Sequence, residues 1–264
     1  KQLTINGVKN EIINGMSDWV YEEEFELTQA YKWSSDSKTI AYLNFDESDV
    51  KMYDVQVWGN QLYPSNHTFK YPKAGEENSK IKVCSVTVED AVINVIRDYS
   101  EDDIYVPRIY WVNDEVVILK INRLQNELSL IQFESKKQKQ NILYSEKADK
   151  YIEWKDHLFF SNNGYIISNE TSGFRDLYYY NYQGKLIKQL THGNWEVDQV
   201  FGLSNGNIYY SSTEKNIFER NIYKVDLFGN KNTIIEQEGN NSVEISNDGE
   251  FLINHNSSFH VPDN

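Results

Sequence analysis

The sequence predicts an all-β chain organised as part of a β-propeller, and three observations predict it. Short apolar or alternating runs such as KTIAYLNF, VVILKINRL, NELSLIQF and DLYYYNYQGKLIKQL are separated by Asn, Asp, Gly and Ser, the pattern of strands and hairpins. No long segment repeats its apolar residues at helical spacing. A hydrophobic residue, a polar turn and an apolar strand recur together, at WSSDSKTIAYL, WVNDEVVIL, FFSNNGYIIS, GLSNGNIYYS and EISNDGEFLIN.

From Trp111 onward these copies start 48, 43 and 42 residues apart. A period of roughly 40–50 residues with about four strands per unit marks a propeller blade. A closing unit also recurs, as KQLTING from Lys1 and KQLTHGN from Lys188. Residues 1–264 are thus expected to form a propeller fragment in which four to five blades are visible. A closed ring needs its ends to meet, so either the ring is small or this is a piece of a larger one.

The 78 residues between the copies at Trp33 and Trp111 exceed one plain blade. Its segment QVWGNQLYPSNHTFKYPKAGEENSKIKV contains two of the four prolines, Pro64 and Pro72. The stretch 57–82 reads as an extended arm or as a long surface loop, and composition does not choose between them.

Charge and composition narrow the function. The formal charge of −14 excludes a basic nucleic-acid-binding face, which a phosphate backbone requires. It admits a cationic ligand, although acidity also serves solubility. The single cysteine, Cys84, lies in the strand-like KIKVCSVTV, has no disulfide partner in the chain, and reads as a buried, inert thiol. Nothing resembles a signal peptide or a membrane span, and the sequons at Asn66, Asn169, Asn240 and Asn256 leave the compartment open.

Catalytic signatures are missing. There is no G-x-S-x-G elbow, no Walker motif and no dinucleotide-binding glycine pattern. The five histidines (His67, His157, His192, His255 and His260) are scattered without metal-ligand spacing and read as turn or surface residues. No catalytic residue, metal or cofactor is assigned.

One stretch stands apart, Asp18–Phe25, DWVYEEEF. Ser17 or Asp18 can cap a short helical turn, and acids early in a helix are favoured by its dipole. A solvated acidic turn is one reading. The other takes account of Trp19, Tyr21 and Phe25, whose packing would fix the backbone and hold adjacent carboxylates rigidly. A cation between such carboxylates relieves their repulsion, and an ammonium group shares three N–H donors among their oxygens. Hydrogen bonds to charged groups contribute about 1.5–3 kcal/mol each, so the pair would select a free amine over an acylated one.

The same residues carry a resemblance. NGMSDWVYEEEF, then WSSDSKTIAYLNFDESDV, YPKAGEEN, PRIYW, NRLQN, SNETSGFRDLYYYN and LTHGNWEV, closely resembles, in order, the N-terminal β-propeller of the dipeptidyl peptidase IV group within the prolyl oligopeptidase family of serine peptidases. The resemblance implies an eight-bladed propeller capping an α/β-hydrolase domain. It implies that Glu23 and Glu24 clamp the free N-terminal amine of a peptide substrate, with Asp18, Trp19, Tyr21 and Glu22 supporting the motif. Cleavage would follow a penultimate proline or alanine.

Several expectations follow from it. The Ser, Asp and His triad would lie in a hydrolase domain beyond residue 264, leaving this chain inactive alone. An arginine of the first blades would precede Lys1, and a Phe-Arg pair that some relatives place near the substrate has no counterpart between Ser145 and Phe160. The 57–82 arm would serve homodimerisation, and the compartment would be periplasmic, secreted or cell-surface. Two rivals remain. A catalytically inactive relative would bind peptides or partner proteins, and a propeller glycosidase would need its two carboxylates flanking a bond, which consecutive glutamates do not do.

Overall fold

The computed structural model describes residues 1–134 and 139–262. Among the described residues the chain is all-β apart from one short helix, and it divides into two compact units, 1–152 and 153–264.

The first unit begins with β1 (Ile12–Asn14), α1 (Trp19–Phe25), β2 (Tyr31–Trp33) and β3 (Thr39–Asp46). There follow β4 (Met52–Val57), β5 (Ser65–Lys70), β6 (Lys80–Thr87) and β7 (Ile93–Asp98). Strands β3, β6 and β7 form an antiparallel sheet whose free edge is completed by two short strands instead of one. β1 pairs with Asn44–Asp46 and β2 with Ile40–Tyr42, both along the same side of β3.

Between them the chain leaves the sheet at Gly15 and returns at Ala30. Leu43 bridges the gap: its carbonyl accepts from the Gly15 N–H at 2.9 Å and its N–H donates to the Ala30 carbonyl at 2.9 Å. The Ala30 N–H donates to the Gly15 carbonyl at 3.0 Å and closes the neck. Gly15 turns out of the strand at φ 75°, a left-handed conformation that a side chain disfavours. The helix with the three glutamates is therefore an excursion from the middle of an edge strand.

A second excursion leaves the same sheet between β3 and β6. Strands β4 and β5 pair only with each other, in the register Met52↔Lys70 to Val57↔Ser65. The arm thus starts earlier than the 57–82 stretch: its first strand is 52–57, and residues 80–82 belong to β6. β4 is exposed along its whole length, although Tyr53, Val55 and Val57 alternate with Asp54 and Gln56 in the sequence.

The unit continues as a four-stranded meander, β8 (Ile104–Val112), β9 (Glu115–Asn122), β10 (Glu127–Glu134) and β11 (Lys139–Lys147). The two-residue turn between β8 and β9 is Asn113-Asp114, with φ of 48° and 62°. Both residues tolerate the left-handed region that a tight hairpin turn demands.

In the second unit β12 (Phe159–Ser161), β13 (Gly164–Asn169), β14 (Asp176–Asn181) and β15 (Leu186–Gln189) form one four-stranded meander. Strands β16 (Val197–Ser204), β17 (Asn207–Ser212), β18 (Asn221–Asp226) and β19 (Lys231–Ile235) form another. β20 (Asn240–Ile245) pairs with β21 (Leu252–Ser257). Ile166, Leu177, Val197, Ile208, Tyr210 and Val225 make a shared core.

Asp176 anchors that core. It is fully buried and accepts from Ser172 Oγ at 2.6 Å, Thr191 Oγ1 at 2.8 Å and Gln189 Nε2 at 3.1 Å. The neighbouring Arg175, also buried, pairs with Glu170 and donates to the Glu153 carbonyl at 3.1 Å. His157 corrects the expectation of surface histidines. It is buried, contacts Ser168 Oγ at 3.1 Å, and is held neutral by burial and by Arg175, which depress its pKa to about 4. Its burial follows from tertiary packing, which residue type does not report.

Replacing Asp176 with Ala strands the buried Thr191 hydroxyl, whereas Ser172 is exposed and Gln189 half-buried and both can turn to water; one unsatisfied buried group costs about 1–3 kcal/mol. Asp176→Ala is expected to lower the urea midpoint by the equivalent of about 1–3 kcal/mol, with Asp176→Asn retaining most of the loss. An unchanged midpoint would contradict this role.

Candidate functional site

Helix α1 has seven residues, too few to persist without tertiary support. Its N-cap is Asp18, whose Oδ1 accepts from the Tyr21 N–H at 3.0 Å. Its end is set by Glu26 in the left-handed region at φ 52°, with the Leu27 N–H returning to the Tyr21 carbonyl at 3.0 Å. Tyr21 and Phe25 lie one turn apart on the inner face, and Val20 is buried beside them. Glu22, Glu23 and Glu24 are all exposed.

Tyr21 is the deepest anchor, only 2% exposed. Its ring meets Phe45 edge-on at 4.8 Å and Tyr105 at 5.9 Å, and its hydroxyl accepts from the Val106 N–H at 2.9 Å. Burial raises the phenol pKa well above its usual value, so it stays a neutral hydroxyl. Arg108 Nη1 donates to the Phe25 carbonyl at 2.7 Å, tying the last turn to β8.

The first turn is tied to a different place. Ser79 Oγ, in the segment between β5 and β6, donates to Asp18 Oδ2 at 2.6 Å. Trp19 packs on Tyr71 of the same segment, with ring centroids 4.1 Å apart. Between α1, this segment and β8 lies an open cleft of about 440 Å³. Trp19, Glu24, Tyr53, Tyr71, Lys73 and Arg123 are among its lining residues.

The two cations at the cleft have partners. Lys73 Nζ sits 4.8 Å from the Tyr53 ring centre, and Arg123 donates to the Glu76 carbonyl at 2.6 Å. Glu24 is thus the motif glutamate that lines the cleft, and Glu22 and Glu23 are not among its lining residues. Trp19 forms a wall, whereas Asp18 and Tyr21 hold the helix from behind. Tyr71, Lys73, Ser79 and Arg123 escaped the sequence reading, because only the fold brings them to the helix. Cys84 is buried, and burial pushes its thiol up to about 11, out of reach of reactivity at neutral pH.

Asp18 carries a cost. Burial raises its pKa, against the lowering effect of the bonds from Ser79 and Tyr21. Glu47, nearby and also buried, is raised mainly by burial and further by Asp18, with Lys70 opposing. A carboxyl whose folded pKa exceeds its unfolded value is a burden at neutral pH that lifts as pH falls through the folded pKa. Asp18→Asn keeps a capping oxygen and removes the charge. It is expected to raise the urea midpoint at pH 7, the gain shrinking on acidification. Asp18→Ala loses the cap, and about 0.5–2 kcal/mol with it. A midpoint for Asp18→Asn below wild type at pH 7 would refute the assignment of strain to this carboxyl.

Comparison with known proteins places this geometry. The Porphyromonas gingivalis dipeptidyl peptidase 4 structure superposes with a TM-score of 0.93 at 32% identity, covering 100% of this chain and 38% of that one. Human prolyl endopeptidase FAP is 30% identical over 251 residues, covering 86% of this chain and 33% of its own length. The probable dipeptidyl-aminopeptidase B of Phaeosphaeria nodorum is 29% identical over 265 residues, covering 87% of this chain and 29% of its own length. The chain spans about a third of the length of these curated relatives. The family described as the dipeptidyl peptidase IV (DPP IV) N-terminal region matches residues 1–263, and this chain belongs to that family.

Proposed function

We propose that this chain is the substrate-recognising part of a serine-type dipeptidyl peptidase, and that Glu23 and Glu24 bind the free N-terminal amine of its peptide substrates. The observation that carries the reading is α1 itself: a helix anchored at both ends that brings Glu24 to an aromatic-walled cleft, with Glu23 next to it in the chain and exposed. The four-stranded meanders are then blades of a partial propeller, four to five of eight. The hydrolase domain with its triad belongs to the part of the relatives' length that this chain does not cover.

The physical logic is that of a ruler. The ammonium group is held by charge-assisted hydrogen bonds, and the bond two residues away is thereby delivered to a nucleophile on the hydrolase domain. An acylated N-terminus offers neither the charge nor the donors. Release of dipeptides follows from that spacing, and the preference for Xaa-Pro or Xaa-Ala is what the family resemblance implies. The exposed β4–β5 hairpin, with Val55, Val57, Trp58, Leu62 and Tyr63 uncovered, supports a role as the arm of a homodimer.

The test uses the full-length protein and a glycyl-prolyl chromogenic substrate. Losing one hydrogen bond to a charged group of about 1.5–3 kcal/mol corresponds to roughly 10–150-fold. Glu24→Gln is expected to lower kcat/KM by that factor, and Glu23→Ala by at least as much, with the fold unchanged. Wild-type turnover in both variants would end the amine-clamp reading. Absence of turnover in the unsubstituted full-length protein would favour the inactive relative.

A further inference from the structure

We propose that Tyr71 is a positioning residue, acting through Trp19, by which the β4–β5 hairpin sets the orientation of the glutamate helix and hence the affinity for a substrate amine. The inference rests on the amine-clamp reading above and adds what holds the clamp in place.

The geometry assigns the two ends of α1 to different supports. The last turn is fastened to β8 through Tyr21, Phe25 and Arg108. The first turn touches the segment that leaves the hairpin. There the Trp19 ring lies 4.1 Å from Tyr71 and 6.4 Å from Phe69. These rings continue a run along the hairpin, with Tyr53 5.1 Å from Tyr71, Phe69 6.0 Å from Tyr71 and His67 5.3 Å from Phe69. An aromatic ladder therefore reaches from mid-hairpin to the residue one helical turn before Glu23.

The hairpin is poorly held otherwise. An isolated two-stranded ribbon is marginal in water, and every residue of β4 is exposed. Its base is tied by Lys70 Nζ, which donates to the Ser48 and Val50 carbonyls at 3.0 and 2.7 Å. The Tyr71 N–H adds a bond to the Lys51 carbonyl at 3.0 Å. Beyond that base, the tilted ring contact of Trp19 with Tyr71, backed by Phe69, registers hairpin against helix. Aromatic pairs of this kind contribute beyond their buried area, and they fix an angle as well as a distance. A shift of about 1 Å in a positioned group suffices to cost binding or rate. Tyr71 also lines the cleft itself, so its loss removes both the support of Trp19 and one wall.

The test is a double-mutant cycle in the full-length protein, read as KM and kcat with a glycyl-prolyl substrate. Tyr71→Leu fills much of the volume but lacks the ring, and Tyr71→Phe keeps it. Tyr71→Leu is expected to raise KM about 5–50-fold with kcat within about twofold of wild type, as loss of ground-state orientation requires. Tyr71→Phe should restore the wild-type KM. In a background lacking both clamp carboxylates, Glu23→Ala with Glu24→Gln, the Tyr71→Leu factor should shrink below about twofold, because Tyr71 acts on KM through the orientation of that clamp. An equal factor in both backgrounds, or an unchanged KM for Tyr71→Leu, would overturn the proposal. A wild-type kcat/KM for both Glu24→Gln and Glu23→Ala would instead overturn the clamp on which it rests, so the two failures are distinguishable.

Discussion

Everything at the candidate site depends on how a seven-residue helix is kept in place. Such a helix cannot pay its ordering entropy from its own hydrogen bonds. Here it is inserted into an edge strand, pinched at Gly15, Ala30 and Leu43, and plugged into the protein by the buried ring and hydroxyl of Tyr21. The apolar residues of DWVYEEEF are thus the structural half of the motif. They turn three otherwise floppy, exposed glutamates into groups with a fixed origin and direction.

The electrostatics fit that division of labour. The chain is strongly acidic, and near the cleft Lys73 and Arg123 are engaged by an aromatic ring and a backbone carbonyl. The motif glutamates are exposed, while the burial cost of a carboxylate is borne by Asp18, the cap behind them. Repulsion among adjacent exposed carboxylates is modest in water and grows as a ligand excludes solvent. A cationic ligand removes that repulsion as it arrives, which favours an ammonium group over a neutral one.

Much of the fold was legible in short stretches. The Asn113-Asp114 and Asn205-Gly206 turns carry their conformational preferences in two residues each, and the apolar strands around them are buried as their patterns imply. The helical turn was legible for the same reason, its cap only to within Ser17 or Asp18, and the structure selects Asp18. Contacts across long sequence separations were not. Ser79 reaches Asp18 from 61 residues away, and nothing in either segment announces it. The split edge strand was hidden because β1 and β2 have three residues each, too few for a period. His157 was misplaced because burial of a histidine depends on what packs over it.

The most direct test is a crystal structure of the full-length protein with a bound peptide whose N-terminal amine is free. The account predicts the amine nitrogen within hydrogen-bonding distance, about 2.7–3.2 Å, of carboxylate oxygens of Glu23 and Glu24. A peptide bound with its amine directed to solvent or to another acidic group would contradict it.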